Sequence, residues 1–180
     1  VKSRYLQYIN NEENPYGENA IVAISCYTGY NVEDAILINE GALQRGLFRT
    51  TYFNTYTSKE EKEVKHQMVI REKIFSKVQF DENVEARRID PDFDYSYLDD
   101  NGIVRENTEV HDKMVLIGQT ESIDTKGNVR DASMMPKKGQ MGFVDKTFIT
   151  EGEEGERIAK VRIRHERIPA MGDKCAPTLL

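Results

Sequence analysis

The sequence predicts a mainly β fold with one or two short helices, and three observations carry that expectation. Aromatic and β-branched residues gather in short runs, as in Phe48-Arg49-Thr50-Thr51-Tyr52-Phe53-Asn54-Thr55-Tyr56, the composition that suits a pleated, half-buried surface. Residues Arg157 to Arg167 alternate apolar and basic side chains, the period-two signature of a strand with one face in a core. From Val84 onward, turn chemistry at Asn101-Gly102 and Lys126-Gly127-Asn128 separates apolar runs, and no sustained helical period runs between them.

In chain order, residues 1–18 are polar and carry Asn10-Asn11-Glu12-Glu13-Asn14-Pro15, so they read as a lead-in that orders only against neighbouring structure. Two apolar runs, Ala20 to Ile24 and Ile36 to Ile38, read as strands. Between them, Gly29-Tyr30-Asn31-Val32-Glu33-Asp34-Ala35 places two adjacent acids. Acids disfavour sheet interiors, so the pair predicts a turn that aims a carboxylate outward. Asn39 is placed to cap a helix from Glu40 to Arg45, with Gly46 where a helix end commonly turns left-handed. The strand at Phe48 to Tyr56 follows. Ser58 with Glu61 has capping-box spacing, and Val64 and Met68 lie four apart, so the charged stretch through Lys73 reads as a helix or an exposed arm. Val115 to Gly118, Gly142 to Val144 and Lys146 to Ile149 are short strands, with Asn101-Gly102 as a type I′ hairpin turn. In the Arg157 to Arg167 strand, Lys160, Arg162 and Arg164 share one face and form a cationic ridge, which reads either as the solvated face of a half-buried strand or as a phosphate-binding surface.

Composition narrows the function classes. The chain has 180 residues, 38% of them hydrophobic, and a formal net charge of −6. That is about one domain with enough apolar material for a core. The acidic balance weighs against a free-standing nucleic-acid binder unless charge is segregated. The acids gather in Asp90 to Asp100 and Glu151 to Glu156, which leaves the basic ridge distinct. The two cysteines, Cys26 and Cys175, lack metal-ligand spacing, which fits free thiols in a reducing, intracellular compartment. No run approaches the roughly 18 apolar residues that a spanning helix needs, and the start lacks a signal-peptide pattern, so neither a membrane nor a secreted protein is expected.

Physics alone leaves the acidic pair open between a solvated turn and a divalent-cation site. The wording around it is more specific. Asn19-Ala20-Ile21-Val22-Ala23-Ile24, Tyr27-Thr28-Gly29-Tyr30-Asn31-Val32-Glu33-Asp34, then Asn39 and Arg45-Gly46-Leu47-Phe48-Arg49, resembles the second-largest subunit of multisubunit DNA-directed RNA polymerases. Tyr97-Leu98-Asp99-Asp100-Asn101-Gly102, Arg130-Asp131-Ala132-Ser133 and Gly172-Asp173-Lys174 follow in family order. The resemblance runs from about Tyr16 to Lys174 and is closest in wording to versions from large DNA viruses, with nuclear and archaeal versions near. It implies a hybrid-binding region, part of a double-psi β-barrel, over residues 19–174, and a location in the virion or host cytoplasm for a viral chain or the nucleus for a eukaryotic one.

What the resemblance implies for chemistry is template-directed RNA synthesis from nucleoside triphosphates. Two divalent ions about 3.5–4 Å apart stabilise attacking and leaving oxygens in such displacements. Mg²⁺ keeps water and phosphate oxygens among its ligands, so one carboxylate from this subunit is enough to help hold the mobile ion. By resemblance Asp34 takes that role, with Glu33 beside it as a weaker or outer contributor. Lys174 contacts RNA or the incoming triphosphate near the active centre, a task suited to a compact ammonium. Arg167 is the nearest match to a second basic residue of the family, and Arg164 is a further nucleic-acid contact on the ridge. The implied partners are the largest subunit and other polymerase subunits, the DNA template, the RNA–DNA hybrid and nucleoside triphosphates. The alternative is a non-catalytic β scaffold that packs against other polymerase subunits. After Gly172-Asp173-Lys174 the family continues with a Ser-Arg and a Gly-Gln-Lys-Gly run, whereas residues 175–180 read Cys175-Ala176-Pro177-Thr178-Leu179-Leu180. This end reads as divergent or truncated, and the chain as a fragment with no polymerase activity by itself.

Other clusters point elsewhere. Asp90-Pro91-Asp92-Phe93-Asp94 echoes a calcium loop, but Tyr95 and Asn101 stand where such a loop needs Gly and Glu. His66, His111 and His165 are too dispersed for a metal site. Lys137-Lys138-Gly139 is a minor basic turn, read as a surface loop or a weak nucleic-acid contact.

Overall fold

The computed structural model describes residues 3–65, 68–77, 92–122 and 129–175. They are mainly β with two short helices, in two compact units: Val1–Thr50 with Glu166–Leu180, and Thr51–His165. No helix is long and apolar enough to cross a membrane among the described residues.

The Thr51–His165 unit carries two four-stranded sheets. One has the order β1 (Thr50–Lys59), β8 (Arg157–Arg167), β7 (Gly142–Glu151), β4 (Glu109–Val110). The other has the order β2 (Glu61–Lys65), β3 (Met68–Phe75), β5 (Gln119–Ser122), β6 (Val129–Asp131). The alternation in β8 is realised: Ala159, Val161 and Ile163 are buried while Lys160, Arg162 and Arg164 are not. The inward set packs with Val144, Leu98, Val104, Met114, Leu116 and Ile117 in one core, where each fully buried aliphatic side chain contributes about 1.5–3 kcal/mol.

Polar ties join the two sheets. Buried Gln119 accepts from the Ser58 hydroxyl at 2.8 Å and donates to the Lys59 carbonyl at 2.8 Å, linking β5 to β1. Glu60 pairs with Arg157 at 2.6 Å and accepts from the Phe75 amide at 2.9 Å. Burial disfavours the charged form of Glu60, but these hydrogen bonds outweigh it and lower its pKa.

Several expectations change. The Gly142 to Val144 and Lys146 to Ile149 runs are one strand, β7, broken in register between Val144 and Lys146. The extra residue of this bulge is Asp145, which meets Arg162 and Arg164. The segment from Glu61 is neither a helix nor a single arm but the β2–β3 hairpin, with Lys62 opposite Glu72 and their charges 3.3 Å apart. The spacing of Val64 and Met68 is also compatible with a hairpin, and the two residues fall on facing strands paired from Glu61–Lys73 to Lys65–Met68. Val115 to Gly118 makes isolated bridges at Ile117 rather than a regular strand, because its backbone amides bond to three different segments, Val115 to Asp94, Leu116 to Met134 and Gly118 to Gly102. At Asn101-Gly102 the turn is Asp99 to Gly102, closed by the Gly102 amide on the Asp99 carbonyl at 3.0 Å. Gly102 alone of the two has positive φ, at 79°, so this is not the type I′ geometry. The Asp99 carboxylate instead fixes the turn by accepting from the amides of Asn101 and Ile103. Lys126-Gly127-Asn128 lies outside the described residues.

The other unit differs in kind. It contains α1 (Arg4–Tyr8) and α2 (Glu40–Gln44). Asn39 caps α2 by accepting from the Ala42 amide at 2.9 Å, and Gly46 has φ 102° beyond its end, an arrangement worth about 1 kcal/mol. The expected strands at Ala20 to Ile24 and Ile36 to Ile38 are absent: neither segment pairs in a ladder. Strand propensity needs a paired neighbour to be expressed, and here the apolar side chains stand in solvent, Ile21 and Ile24 almost fully exposed. No described residue of this unit is buried. Amide exchange is therefore expected to be at least about a hundredfold faster across residues 19–38 than at Leu116, Ile117 and Val161. Hydrogen exchange read by mass spectrometry checks this, and protection across 19–38 would reveal an unseen partner.

Candidate nucleic-acid and metal site

The acidic pair sits at the tip of a turn, as its residue types predict. The Ala35 amide bonds the Val32 carbonyl at 3.3 Å, so Glu33 and Asp34 occupy the two central positions. Glu33 has φ 58°, a left-handed conformation that costs a side-chain-bearing residue energy and so marks a constrained position. Asn31 organises the approach: its side chain accepts from the Tyr27 amide at 3.0 Å and donates to the Ser25 carbonyl at 2.6 Å. Asn31 escaped the sequence reading, although an Asn after Gly-Tyr in a tight turn is a recognisable signal for such a clamp.

Both acids are exposed and have no ion-pair partner among the described residues. Two adjacent hard oxygen donors with no competing cation fit Mg²⁺, which takes one or two carboxylates and fills its octahedron with water or phosphate. They do not fit a closed all-protein site. Accordingly, no group of three His, Cys, Asp or Glu comes together among the described residues.

Lys174 follows a second fixed turn. The Asp173 amide bonds the Ala170 carbonyl at 3.1 Å, and the Asp173 carboxylate accepts from the Ala170 amide at 3.0 Å. Gly172 supplies φ 94°. Arg167, at the end of β8, pairs with Asp173 at 2.6 Å. The Ala170 amide and the Arg167 guanidinium hold the Asp173 carboxyl below its ordinary range. Arg167 thus braces the Gly172–Lys174 turn, while Lys174 is exposed with no ion pair among the described residues. Glu33, Asp34, Arg167 and Lys174 all belong to one unit, and no described hydrogen bond or ion pair joins the acidic turn to Lys174.

Arg164 belongs to the other unit. It donates to Asp145 at 3.3 Å and to Asn107 at 3.5 Å, and its guanidinium lies 5.9 Å from the centre of the Phe143 ring. Arg162 binds Asp145 through Nε at 2.7 Å and stacks 5.1 Å from the centre of Phe53. The two arginines hold the Asp145 carboxyl below its ordinary range. The sequence marked the ridge but missed Asp145; the signal was a lone acid between two apolar runs.

The remaining clusters are structural among the described residues. Asp94 accepts from the Ser96 amide at 2.9 Å and from its hydroxyl at 2.6 Å. Lys137 and Lys138 are exposed in a turn closed by the Gln140 amide on the Lys137 carbonyl at 2.9 Å.

Comparison with known proteins adds a second line of evidence. The family described as RNA polymerase Rpb2, domain 6, matches residues 1–178, a span that includes both turns. The chain is 35% identical to DNA-directed RNA polymerase subunit Rpo2 of Saccharolobus solfataricus, over 98% of this chain and 16% of that protein. It is 35% identical to DNA-directed RNA polymerase II subunit RPB2 of Schizosaccharomyces pombe, over 97% of this chain and 14% of that protein. To DNA-directed RNA polymerase II subunit 2 of Arabidopsis thaliana it is 33% identical, over 97% of this chain and 15% of that protein. The chain therefore spans about one sixth of the length of these curated relatives or slightly less.

Proposed function

Since the chain belongs to the RNA polymerase Rpb2 domain 6 family, we propose that it serves template-directed RNA synthesis as an active-centre segment of a second-largest polymerase subunit. The observation that carries this reading is the family match along nearly the whole chain, which takes in the outward acidic turn and the braced Gly172–Lys174 turn. Its partners are the largest subunit and other polymerase subunits, the DNA template with its RNA–DNA hybrid, and nucleoside triphosphates.

The reaction forms a bond from the RNA 3′ oxygen to the α-phosphorus of the triphosphate and breaks the bond from that phosphorus to pyrophosphate. Mg²⁺, when bound, supplies charge for the triphosphate and leaving oxygens. Asp34 would hold it, with Glu33 acting through water. The Asn31 clamp and the left-handed Glu33 shape the turn that carries these carboxylates. Lys174 places an ammonium against RNA or triphosphate oxygens. Arg167 keeps the turn bearing Lys174 in place through Asp173 and adds a phosphate contact from its remaining N–H groups. Arg164 is a secondary phosphate contact, since Asp145 and Asn107 already occupy part of its guanidinium. The double-psi barrel implied by resemblance would bring these turns to one cleft.

The test is RNA extension by a complete polymerase carrying Asp34→Ala, titrated with Mg²⁺ at matched template binding. Extension is expected to collapse at limiting Mg²⁺ and to need about tenfold more of the ion, equivalent to about 1.4 kcal/mol, while template binding persists. Unchanged extension would remove the metal assignment and favour a non-catalytic scaffold.

A further inference from the structure

The outer face of the β1–β8–β7 sheet is unusual for a surface facing water. Cross-strand partners share a face, so Lys146 stands beside Arg162 and Phe148 beside Lys160. Phe53 on β1 lies under Arg162, and Lys160 is 6.0 Å from the centre of Phe148. The two rings remain 50% and 45% exposed. Half-exposed aromatic rings beside an Arg are a combination enriched at interfaces. Charge is also unbalanced. Asp145 is engaged by Arg162 and Glu106 by the Thr147 amide, while neither Lys146 nor Lys160 has an ion pair among the described residues. This occurs on a chain whose net charge is −6, so the cations are segregated here.

From this juxtaposition we propose that the face centred on Lys146, Lys160 and Arg162 is a docking surface for an acidic, extended segment of a partner protein. Spacing supports an extended occupant. Lys160 and Arg162 are two residues apart on one strand, about 6.6 Å, and carboxylates at alternate positions of an extended segment repeat at the same distance. The stems of those acids would rest on Phe53 and Phe148. A single-stranded nucleic acid is the less suitable occupant, because bases need open ring faces for stacking. Here one face of each ring is already covered by a cation. This surface is separate from the Asp34 and Lys174 turns, and its existence does not depend on the metal assignment.

The experiment uses the whole chain and a fluorescein-labelled peptide of six Glu-Ser repeats. Two comparisons accompany it: a peptide with the same residues arranged as six Glu followed by six Ser, and a twelve-nucleotide oligouridylate. The alternating peptide is expected to bind saturably, at least threefold tighter than the block peptide and tighter than the oligouridylate. Binding should weaken at least tenfold in a Lys146→Glu, Lys160→Glu variant. The milder Lys146→Gln, Lys160→Gln variant keeps the result readable if charge reversal unfolds the sheet, and it should weaken binding at least threefold with unchanged circular dichroism. Absence of saturable binding, preference for the oligouridylate, equal binding of the two peptides, or indifference to both variants would each overturn the proposal.

Discussion

Replacing Gly118 by valine is expected to destabilise the two-sheet unit by about 3 kcal/mol, at the upper end of the usual cost of overpacking. Three chain segments meet at this residue. Its amide bonds the Gly102 carbonyl at 2.7 Å, and its carbonyl accepts from the Ser76 amide at 3.1 Å. These bonds draw the backbones together so closely that a Cβ on Gly118 would sit 2.5 Å from the Ser76 carbonyl oxygen and 2.8 Å from Leu98 Cδ1. The first obstacle is backbone held by hydrogen bonds, so it cannot swing aside as a flexible side chain would. Gly118→Ala should already cost a substantial part of this, and valine more. Urea unfolding followed by far-ultraviolet circular dichroism measures both. A midpoint unchanged in the valine variant would mean that the three segments do not converge as described.

The second large effect concerns Glu121 of β5, whose side chain is only 3% exposed between Arg71 and Arg130. Burial opposes its ionisation, but hydrogen bonds from Arg71 and Arg130 outweigh burial and hold its pKa below the ordinary 4.5. Truncating both arginines to alanine removes both cationic partners of this carboxylate and is expected to destabilise the fold at neutral pH. Either single truncation should cost much less, because the remaining guanidinium still faces the acid. The second removal will therefore exceed the first in a double-mutant cycle. The pH dependence follows from the lowered pKa. The ionised pair stabilises the fold fully above the unfolded value near 4.5, and that contribution disappears as pH falls through the lower folded value. Melts from neutral to acid should separate wild type from the double variant at neutral pH and converge as pH falls through the lowered folded value. Parallel curves throughout would show that the arginines do not act through this carboxylate.

Much of the sheet was legible in the chain because local pattern and global packing agree there. The period-two alternation of Arg157 to Arg167 became β8 with its inward faces buried, and the Asn39 and Gly46 signals bracket α2. Where pattern failed, the deciding interactions were distant in sequence. Val64 and Met68 have helical spacing, yet the partner of Lys62 is Glu72 across a hairpin. Ala20 to Ile24 carries the β-branched Ile21, Val22 and Ile24 but has no neighbouring strand among those described. The candidate site divides similarly. A turn at Glu33-Asp34 could be expected from residue types, since acids between apolar runs belong at chain reversals. The roles given to Asp34 and Lys174 could not, because an exposed acid and an exposed lysine carry no intrinsic mark of function. Those roles came from the resemblance, and the structure contributes the Asn31 clamp and the Arg167–Asp173 brace that hold the two turns.

The division of the chain also has a consequence for its synthesis. One unit is assembled from residues 1–50 and 166–180, with the whole Thr51–His165 unit inserted between them. On a ribosome adding about 5–20 residues per second, the first segment waits on the order of ten seconds for its closing segment. The inserted unit can meanwhile fold as it emerges, but its sheet is completed only when β8 reaches β1. The late arrival of Arg157 to Arg167 therefore sets the moment at which the inserted sheet can close.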